Sequence, residues 1–337
     1  MVSLWHTPGN NNTTVLVLTV IAVFNVCFAM RCVPQILQPI LVWLLPARWR
    51  LITGWRKLRH YVVPRVQELK KAKSQQQQQQ QSQQQNRNGK SAVNPDVISW
   101  MVEDGRNEIE RDPQVLTTLV GSIAAGSTYS ITNFCCRTIM DMVAHPDVLD
   151  QVRAEIRVKH SQLNDGRWDT AALASLDKLE SAMKESSRLT PGTLLVYSRV
   201  VKKDHRLSSG LLLKKGQFVT ISASTRTMDP DVFEDPREYR GLRFCAPERI
   251  EEHRARPFSS IDTDILTWGA GRWSCPGRLI SDMAAKILLV KLIDEYDFGF
   301  VGGKPLAKSA MHEFLFFHPE NEMLVRRRGD ASGIVFV

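Results

Sequence analysis

Long hydrophobic runs, metal-type cysteine spacing and clustered charge are all scarce in this 337-residue chain. The longest apolar stretch, Val15 to Met30, is short for a membrane-spanning helix and is interrupted by Asn25. None of the six cysteines forms a C-x-x-C pair, which argues against the usual zinc sites and against a disulfide framework. No basic stretch is interleaved with aromatic residues, so nucleic-acid binding is not expected despite a formal charge of +9.

What the chain does contain is the composition of a globular protein, with 43% hydrophobic and 23% charged residues. Its length accommodates one large domain or two ordinary ones. The excess of basic residues indicates either a face that meets an acidic protein partner or an anionic membrane, or simply a solvated surface. The sequence leaves these readings equally open.

A glutamine-rich tract divides the chain. Ser74 to Asn88 has no apolar residue to bury, so residues 74–92 are predicted to be a disordered insertion. Residues 1–18 form an N-terminal segment. Residues 19–73 are predicted to be amphipathic and buried helices rather than a membrane anchor. Residues 93–337 form the core.

Helical patterns dominate that core. Pro113 to Val143 is apolar almost all round, which is typical of a helix buried through the centre of a domain. Further helices are predicted at Asp147 to His160, Ala171 to Leu189 and Gly277 to Tyr296. Short strands are predicted at Leu194 to Val201, Leu211 to Leu213 and Gln217 to Ser222, with a closing hairpin from Phe314 to Arg328. The predicted fold class is mainly α with a small β-sheet.

One cysteine lies in a distinctive loop that runs from Trp268 to Arg278 (WGAGRWSCPGR). Gly269 and Gly271 allow the backbone to approach a flat cofactor closely, because glycine has no Cβ. A thiolate at the start of a helix is stabilised by exposed N–H groups and by the helix dipole. Cys275 is therefore a candidate axial ligand of a haem iron. Without these neighbours, a buried structural cysteine would be the favoured interpretation.

This loop resembles the haem-ligand loop of cytochrome P450 enzymes, Phe-Gly-x-Gly-x-Arg-x-Cys-x-Gly, with two departures. Trp268 replaces the phenylalanine, and Trp273 stands where an arginine or histidine usually meets a haem propionate. The indole N–H of Trp273 can donate one hydrogen bond but carries no charge. The resemblance implies Arg272, Trp273 and Arg199 as propionate donors. It also implies weak haem retention that Trp273→Arg would alter.

A second set of residues resembles the Glu-x-x-Arg motif of the same family. Glu185 and Arg188 are three residues apart on one helical face, a spacing that on its own more often marks a surface pair. Asp229 to Phe244 matches the family's meander, in which a further arginine joins the pair, and Arg243 is the candidate. The resemblance implies a structural network that fixes the backbone presenting Cys275.

The central helix carries Ala124 to Thr132 (AAGSTYSIT) where P450 enzymes usually have Ala/Gly-Gly-x-acid-Thr-Thr. In the family the small residue opens a groove for dioxygen, and the acid–hydroxyl pair relays protons. One alignment places Tyr129 at the acid and Ser130 at the threonine; another places Thr128 at the acid. Neither supplies a carboxylate, so Ser130, or Thr128, is the candidate for proton delivery. The alternative is that these small residues serve only close helix packing.

The resemblance as a whole implies a P450-like fold, incomplete at the N-terminus, and a haem-thiolate monooxygenase of fungal secondary metabolism. The expected substrate is a hydrophobic, terpenoid-like compound, and the expected electron donor is an NADPH-dependent reductase. Leu194, Leu195 and Val196 are candidate pocket residues, with core packing as an equal alternative.

The expected location is the cytoplasmic face of the endoplasmic reticulum membrane, or the cytoplasm if Val15 to Met30 is a core helix. Two other functions stay open. One is a truncated or degenerate family member with little or no activity. The other is a membrane-attached interaction protein that uses the apolar N-terminus and the glutamine tract.

Overall fold

The computed structural model describes residues 23, 25–82, 96–163, 165–304, 307–317 and 321–337. The chain forms two compact units, Met1–Tyr129 and Ser130–Val337. The predicted N-terminal segment, residues 1–18, lies outside the described residues. Of the predicted insertion, residues 83–92 also lie outside them.

The first unit is helical. Its helices are α1 (Gln38–Leu44), α2 (Pro46–Ser82), α3 (Val97–Asp104) and the first part of α4 (Pro113–Ala144). Asp96 caps α3, because its side chain accepts a hydrogen bond from the backbone N–H of Ser99. A small apolar core joins α2 to α3 and α4 through Val62, Val66, Leu69, Val102 and Leu116.

Helix α2 continues to Ser82, so the described part of the glutamine-rich tract, residues 74–82, is helical in the structure. Glutamine has a high helix propensity, and lengthening an existing helix avoids the cost of nucleating a new one. A lack of apolar residues indicates that a segment has no face to bury, but it does not prevent the segment from extending a helix.

Within the parts of the chain that the structure describes, no helix is both long enough and apolar enough to cross a lipid bilayer. Of the apolar stretch Val15 to Met30, residues 23 and 25–30 are described, and they are helical. The remaining residues of that stretch lie outside the described ranges.

Among its described residues, the second unit contains the rest of α4 and five further α-helices, which confirms the predicted mainly α fold. They are α5 (Pro146–Gln162), α6 (Thr170–Ala174), α7 (Asp177–Leu189), α8 (Ile250–Ala255) and α9 (Arg278–Glu295). The apolar core of this unit lies among α4, α5, α7 and α9, with Met142, Val152, Met183 and Leu289 fully buried. Most helix boundaries fall within two residues of the prediction, although one predicted helix, Ala171 to Leu189, is divided into α6 and α7.

Five two-stranded sheets occur among the described residues, in place of the single small sheet that the sequence predicted. The parallel pair is β1 (Arg167–Trp168) with β10 (Val335–Phe336). The antiparallel pairs are β2 (Leu195–Val200) with β5 (Phe218–Ser222), β3 (His205–Arg206) with β4 (Leu212–Leu213), β6 (Tyr296–Phe300) with β9 (Met323–Arg327), and β7 (Lys308–Met311) with β8 (Phe314–Phe317).

The predicted hairpin from Phe314 to Arg328 is wrong. Strand β8 pairs with the preceding strand β7, and β9 pairs with β6 instead. His312, in the turn between β7 and β8, has a left-handed φ of 53°, which tight hairpin turns require. Local patterning identified the strands, but it does not determine which strands pair.

Helix α4 runs unbroken from Pro113 to Ala144, one residue beyond its predicted end. Ile139 and Met142 are buried, as predicted for a central helix, but Leu119 is 44% exposed and Ile123 is 52% exposed. Burial on all sides is therefore wrong for the first part of the helix. Apolar composition allows a surface to be buried, but it does not ensure that the surface is covered.

Candidate active site

The cysteine loop is a closed turn that ends at the start of α9. The backbone N–H of Cys275 donates to the carbonyl oxygen of Trp268 at 2.7 Å, and that of Ser274 donates to Gly271 at 3.1 Å. Gly269 and Gly271 have φ values of 69° and 60°, in the left-handed region that favours glycine. The two predicted glycines are therefore required by the conformation of the loop itself.

Cys275 is half-buried, and none of the six cysteines, all within the described residues, forms a disulfide. A Cβ placed on Gly277 would lie 4.0 Å from the Cys275 sulfur, at ordinary van der Waals distance. Cys135 is buried in the apolar core of the second unit, and this burial raises the pKa of its thiol to about 12.

Trp268 is anchored by its indole. Its Nε1–H donates to the carbonyl oxygen of Phe258 at 2.5 Å, and the two rings meet edge to face with centroids 5.1 Å apart. Phe258 in turn stacks on Phe134 of α4, at 5.0 Å. A phenylalanine at position 268 would keep the ring packing but would lose the hydrogen bond, so this departure adds a contact.

Trp273 lies against both of the predicted propionate-binding arginines. The guanidinium carbon of Arg199, on β2, is 5.7 Å from the centroid of the indole, and that of Arg272 is 5.5 Å from it. Both distances are within the range of cation–π attraction. Trp273 is 70% exposed, and both arginines are exposed. The ring thus holds two cations at one accessible place beside the cysteine loop.

Tyr197 is a residue that sequence reasoning missed. Its φ of 56° is left-handed, and the pairing of β2 with β5 shifts register between Val196 and Arg199. The hydroxyl is buried without a hydrogen-bond partner among the described residues, and it lies 3.6 Å from the position of a Cβ on Gly269. Burial raises the pKa of Tyr197. No pattern in the sequence signalled this strained tyrosine against the cysteine loop.

The structure brings Glu185, Arg188 and Arg243 together. Arg188 donates to both carboxylate oxygens of Glu185 at 2.8 Å, and the Nε of Arg243 lies 3.1 Å from each of them. The side chains of Glu185 and Arg188 are fully buried, and that of Arg243 is nearly so. A buried carboxylate between two guanidiniums is a fully paired ionic cluster.

The two arginines of this cluster also hold the meander backbone. Arg188 donates to the carbonyl oxygens of Thr227 at 2.7 Å and Pro236 at 2.6 Å, and Arg243 donates to that of Glu234 at 2.6 Å. The cluster therefore fixes the meander directly. A separate contact leads from α7 to the cysteine loop, where the hydroxyl of Ser187 meets that of Thr267.

The two candidate proton-delivery hydroxyls lie on unbroken helix α4. Ser130 is exposed and is the first residue of the second unit, whereas Thr128 is half-buried and belongs to the first. Apart from the neighbouring backbone of α4 itself, no described atom lies within 4 Å of the position that a Cβ on Gly126 would occupy. The role that the resemblance implies for this small residue stays a prediction.

Comparison with known families decides the identity of the fold. The sequence model of the family described as "Cytochrome P450" matches residues 10–325. This chain belongs to the cytochrome P450 family. The match includes the cysteine loop, the Glu185 cluster and the central helix.

Curated P450 relatives come from fungi. Cytochrome P450 monooxygenase pyr3 of Aspergillus fumigatus is 30% identical over 93% of this chain and 58% of its own length. Cytochrome P450 monooxygenase AN1598 of Emericella nidulans is 28% identical over 91% of this chain and 55% of its own. Fusicocca-1,10(14)-diene-8beta,16-diol C-9 hydroxylase of Phomopsis amygdali is 32% identical over 64% of this chain and 41% of its own length. The chain thus spans about half the length of the curated relatives it matches.

The residues beside Cys275 fit the haem that membership of the P450 family implies. The sulfur is free and is not crowded by Gly277. The carboxylates of a haem require cationic donors, and Arg199 and Arg272 converge on Trp273 next to the loop. A thiolate ligand and a pair of guanidiniums form the donor set that haem needs.

Proposed function

We propose that this chain carries the haem-binding part of a monooxygenase that inserts oxygen into a hydrophobic, terpenoid-like secondary metabolite. The observation that carries the proposal is the geometry of the cysteine loop. Cys275 is held at the start of α9 by a loop whose two glycines adopt left-handed conformations, and Trp268 closes it. The P450 match over residues 10–325 supports the same conclusion.

In this proposal each residue of the site has a distinct task. The Cys275 thiolate would ligate the haem iron. Arg199 and Arg272 would bind the haem carboxylates through charge-assisted hydrogen bonds, and Trp273 would hold both guanidiniums in place. When bound, haem supplies the iron at which dioxygen is activated.

The substrate class is supported by the names of the relatives. One of them is a C-9 hydroxylase of a fusicocca-1,10(14)-diene diol. Leu195 and Val196 begin β2, and Leu194 directly precedes it; Val196 is three residues before Arg199, and all three apolar side chains are partly exposed. Apolar side chains that are not fully covered can contact a hydrophobic substrate. The electron donor in this proposal is an NADPH-dependent reductase.

The test of this function uses purified, haem-loaded protein with NADPH, a P450 reductase and isotopically labelled dioxygen. Mass spectrometry of candidate terpenoid substrates should find a product that contains one labelled oxygen atom and depends on the reductase. Cys275→Ala should abolish the product. Labelled product from that variant, or none from the wild-type protein with any terpenoid substrate, would contradict the proposal.

A family member with little activity is the second candidate, because residues 124–132 contain no carboxylate. Proton transfer from a positioned side chain typically contributes 10²–10⁴-fold to a rate. In the first candidate the hydroxyl of Ser130 or Thr128 passes the proton with the help of water. Ser130→Ala and Thr128→Ala, each with an unchanged haem spectrum, separate the two hydroxyls. If neither change lowers product formation, neither hydroxyl delivers the proton.

A further inference from the structure

A buried ion pair joins the helix after Cys275 to helix α7. Lys286 of α9 is 2% exposed, and its Nζ lies 2.6 Å from an Oε2 of Glu180 on α7. Asp282, one turn earlier on α9, is farther from the same ammonium, at 3.4 Å. Burial raises the pKa of Asp282, so Glu180 is the principal carboxylate partner of this lysine.

The second carboxylate oxygen of Glu180 contacts the segment that precedes the cysteine loop in the chain. Its Oε1 accepts the backbone N–H of Phe258 at 2.7 Å. The carbonyl oxygen of Phe258 accepts the indole N–H of Trp268, and the carbonyl oxygen of Trp268 accepts the backbone N–H of Cys275. One carboxylate therefore links the segment before the loop to the helix after it, and Cys275 lies between them.

We propose that Glu180 is a positioning residue for the Cys275 ligand loop, acting through Phe258 and Trp268 on one side and through Lys286 on the other. The indole N–H makes Trp268 a member of this chain of contacts, which a phenylalanine would not be. The inference rests on the proposed function only in taking Cys275 as the haem ligand. The contacts themselves belong to the protein chain.

A buried carboxylate is well suited to this task. Both of its oxygens are engaged, and buried charge-assisted hydrogen bonds are short and directional. Glu180→Gln keeps the size of the side chain and one acceptor oxygen, but it removes the charge that Lys286 needs. The variant leaves Lys286 with Asp282 alone, and it weakens the link at both ends of the loop.

A matched control exists on the same helix. Asp294 of α9 is also 2% exposed, and it accepts hydrogen bonds from the backbone N–H and the hydroxyl of Ser332. Asp294→Asn thus neutralises a buried carboxylate that holds the C-terminal segment rather than the cysteine loop. Any general loss of stability should appear in both variants, whereas a change at Cys275 should appear only in Glu180→Gln.

The experiment measures the alkylation rate of Cys275 by iodoacetamide in the folded, full-length, haem-free chain, with peptide mass spectrometry to separate it from the other cysteines. Cys275 is half-buried, so the closed loop restricts access to its sulfur, and a looser loop that opens more often exposes the sulfur to the reagent for a larger fraction of the time. We expect Glu180→Gln to raise the rate about fivefold or more. Trp268→Phe should also raise the alkylation rate of Cys275, and Asp294→Asn should leave that rate unchanged.

Two results would overturn the proposal: an unchanged Cys275 rate in folded Glu180→Gln, or an equal increase in Asp294→Asn. If Glu180→Gln does not fold, Trp268→Phe decides, because it removes one hydrogen bond and keeps the ring. A haem titration of the same proteins is a separate readout. Failure of the wild-type chain to bind haem would contradict the proposed function and leave the alkylation result standing.

Discussion

The backbone N–H of Cys275 donates a hydrogen bond to the carbonyl oxygen of Trp268 across 2.7 Å. This bond closes the loop that presents the sulfur, and it requires the chain to reverse within a few residues. Gly269 makes the reversal with φ 69° and ψ −166°, a combination that is essentially restricted to glycine. The family's glycine pattern is thus explained by the conformation of the loop and not only by the approach of a cofactor.

Gly269→Ala should destabilise the second unit by about 1–3 kcal/mol, because alanine is strained in this region of backbone conformation. The neighbours would remain at ordinary contact distance, so the loss comes from the backbone. Gly126→Ala is the control, since it lies within α4 with open space around it and should stabilise the helix by about 0.5–1 kcal/mol. Urea unfolding measures both. Equal effects at the two positions would show that the loop conformation is not the cause.

Neutralising the centre of the arginine cluster should be costly. Glu185→Gln leaves Arg188 and Arg243 buried without a counter-charge, and breaking a buried pair in this way typically costs about 3–5 kcal/mol. Arg240→Ala in the same meander removes only surface ion pairs, and it should leave the free energy of unfolding nearly unchanged. The free energy of unfolding in urea distinguishes them. A loss below about 1 kcal/mol in Glu185→Gln would contradict the structural role of the cluster.

Loss of the Trp273 ring should weaken haem binding. Two exposed cation–π contacts contribute about 1–2 kcal/mol together, so Trp273→Ala should lower haem affinity by up to about 30-fold. Trp273→Phe keeps an aromatic face and should retain most of the affinity. Titration of the haem-free chain, followed by absorbance, gives both dissociation constants. Equal affinities in the alanine variant and the wild type would show that the Trp273 ring does not contribute to haem binding.

Acid should weaken the C-terminal sheet through Asp297. The hydrogen bond from Arg326, together with the charge of Arg328, holds the pKa of Asp297 below its usual range. A lowered pKa in the folded state gives stability that is present above the ordinary aspartate value of about 3.9 and is lost as pH falls through the folded value. Asp297→Asn should therefore be less stable than the wild type near neutrality. Below about pH 4 its free energy of unfolding should change less with pH than that of the wild type. Urea unfolding midpoints measured across this pH range test the prediction. Midpoints that fall equally steeply with decreasing pH in the two proteins would contradict it.

The sequence predicted most helices and strands because their signals are local. Pro113 begins α4 and Pro146 begins α5, and the apolar periodicity between such markers sets the length of each helix. The hairpin error at Phe314 has the opposite cause. Strand β9 finds its partner in β6, across the whole of β7 and β8, and no local pattern encodes that choice.

The site was predictable where a motif carries it and not where side chains meet from distant segments. Cys275, Glu185 and Arg188 stand in recognisable spacing. Lys286 and Glu180 looked like ordinary charged positions on helices, yet both are buried. The available signal was the presence of Lys286, with Asp282 and Asp294, among the apolar positions of the buried face of α9, because a charge in such a place requires a partner. The partner itself could be found only from the fold.

The central claim is that the Cys275 thiolate binds the iron of a haem. The most direct measurement is the difference spectrum of the haem-supplied, reduced chain on addition of carbon monoxide, with Cys275→Ser and Cys135→Ser compared under the same conditions. The account predicts the Soret band of thiolate-ligated haem in the wild type and in Cys135→Ser, and its loss in Cys275→Ser. Absence of that band from the wild type with haem supplied, or its persistence in Cys275→Ser, would contradict the claim.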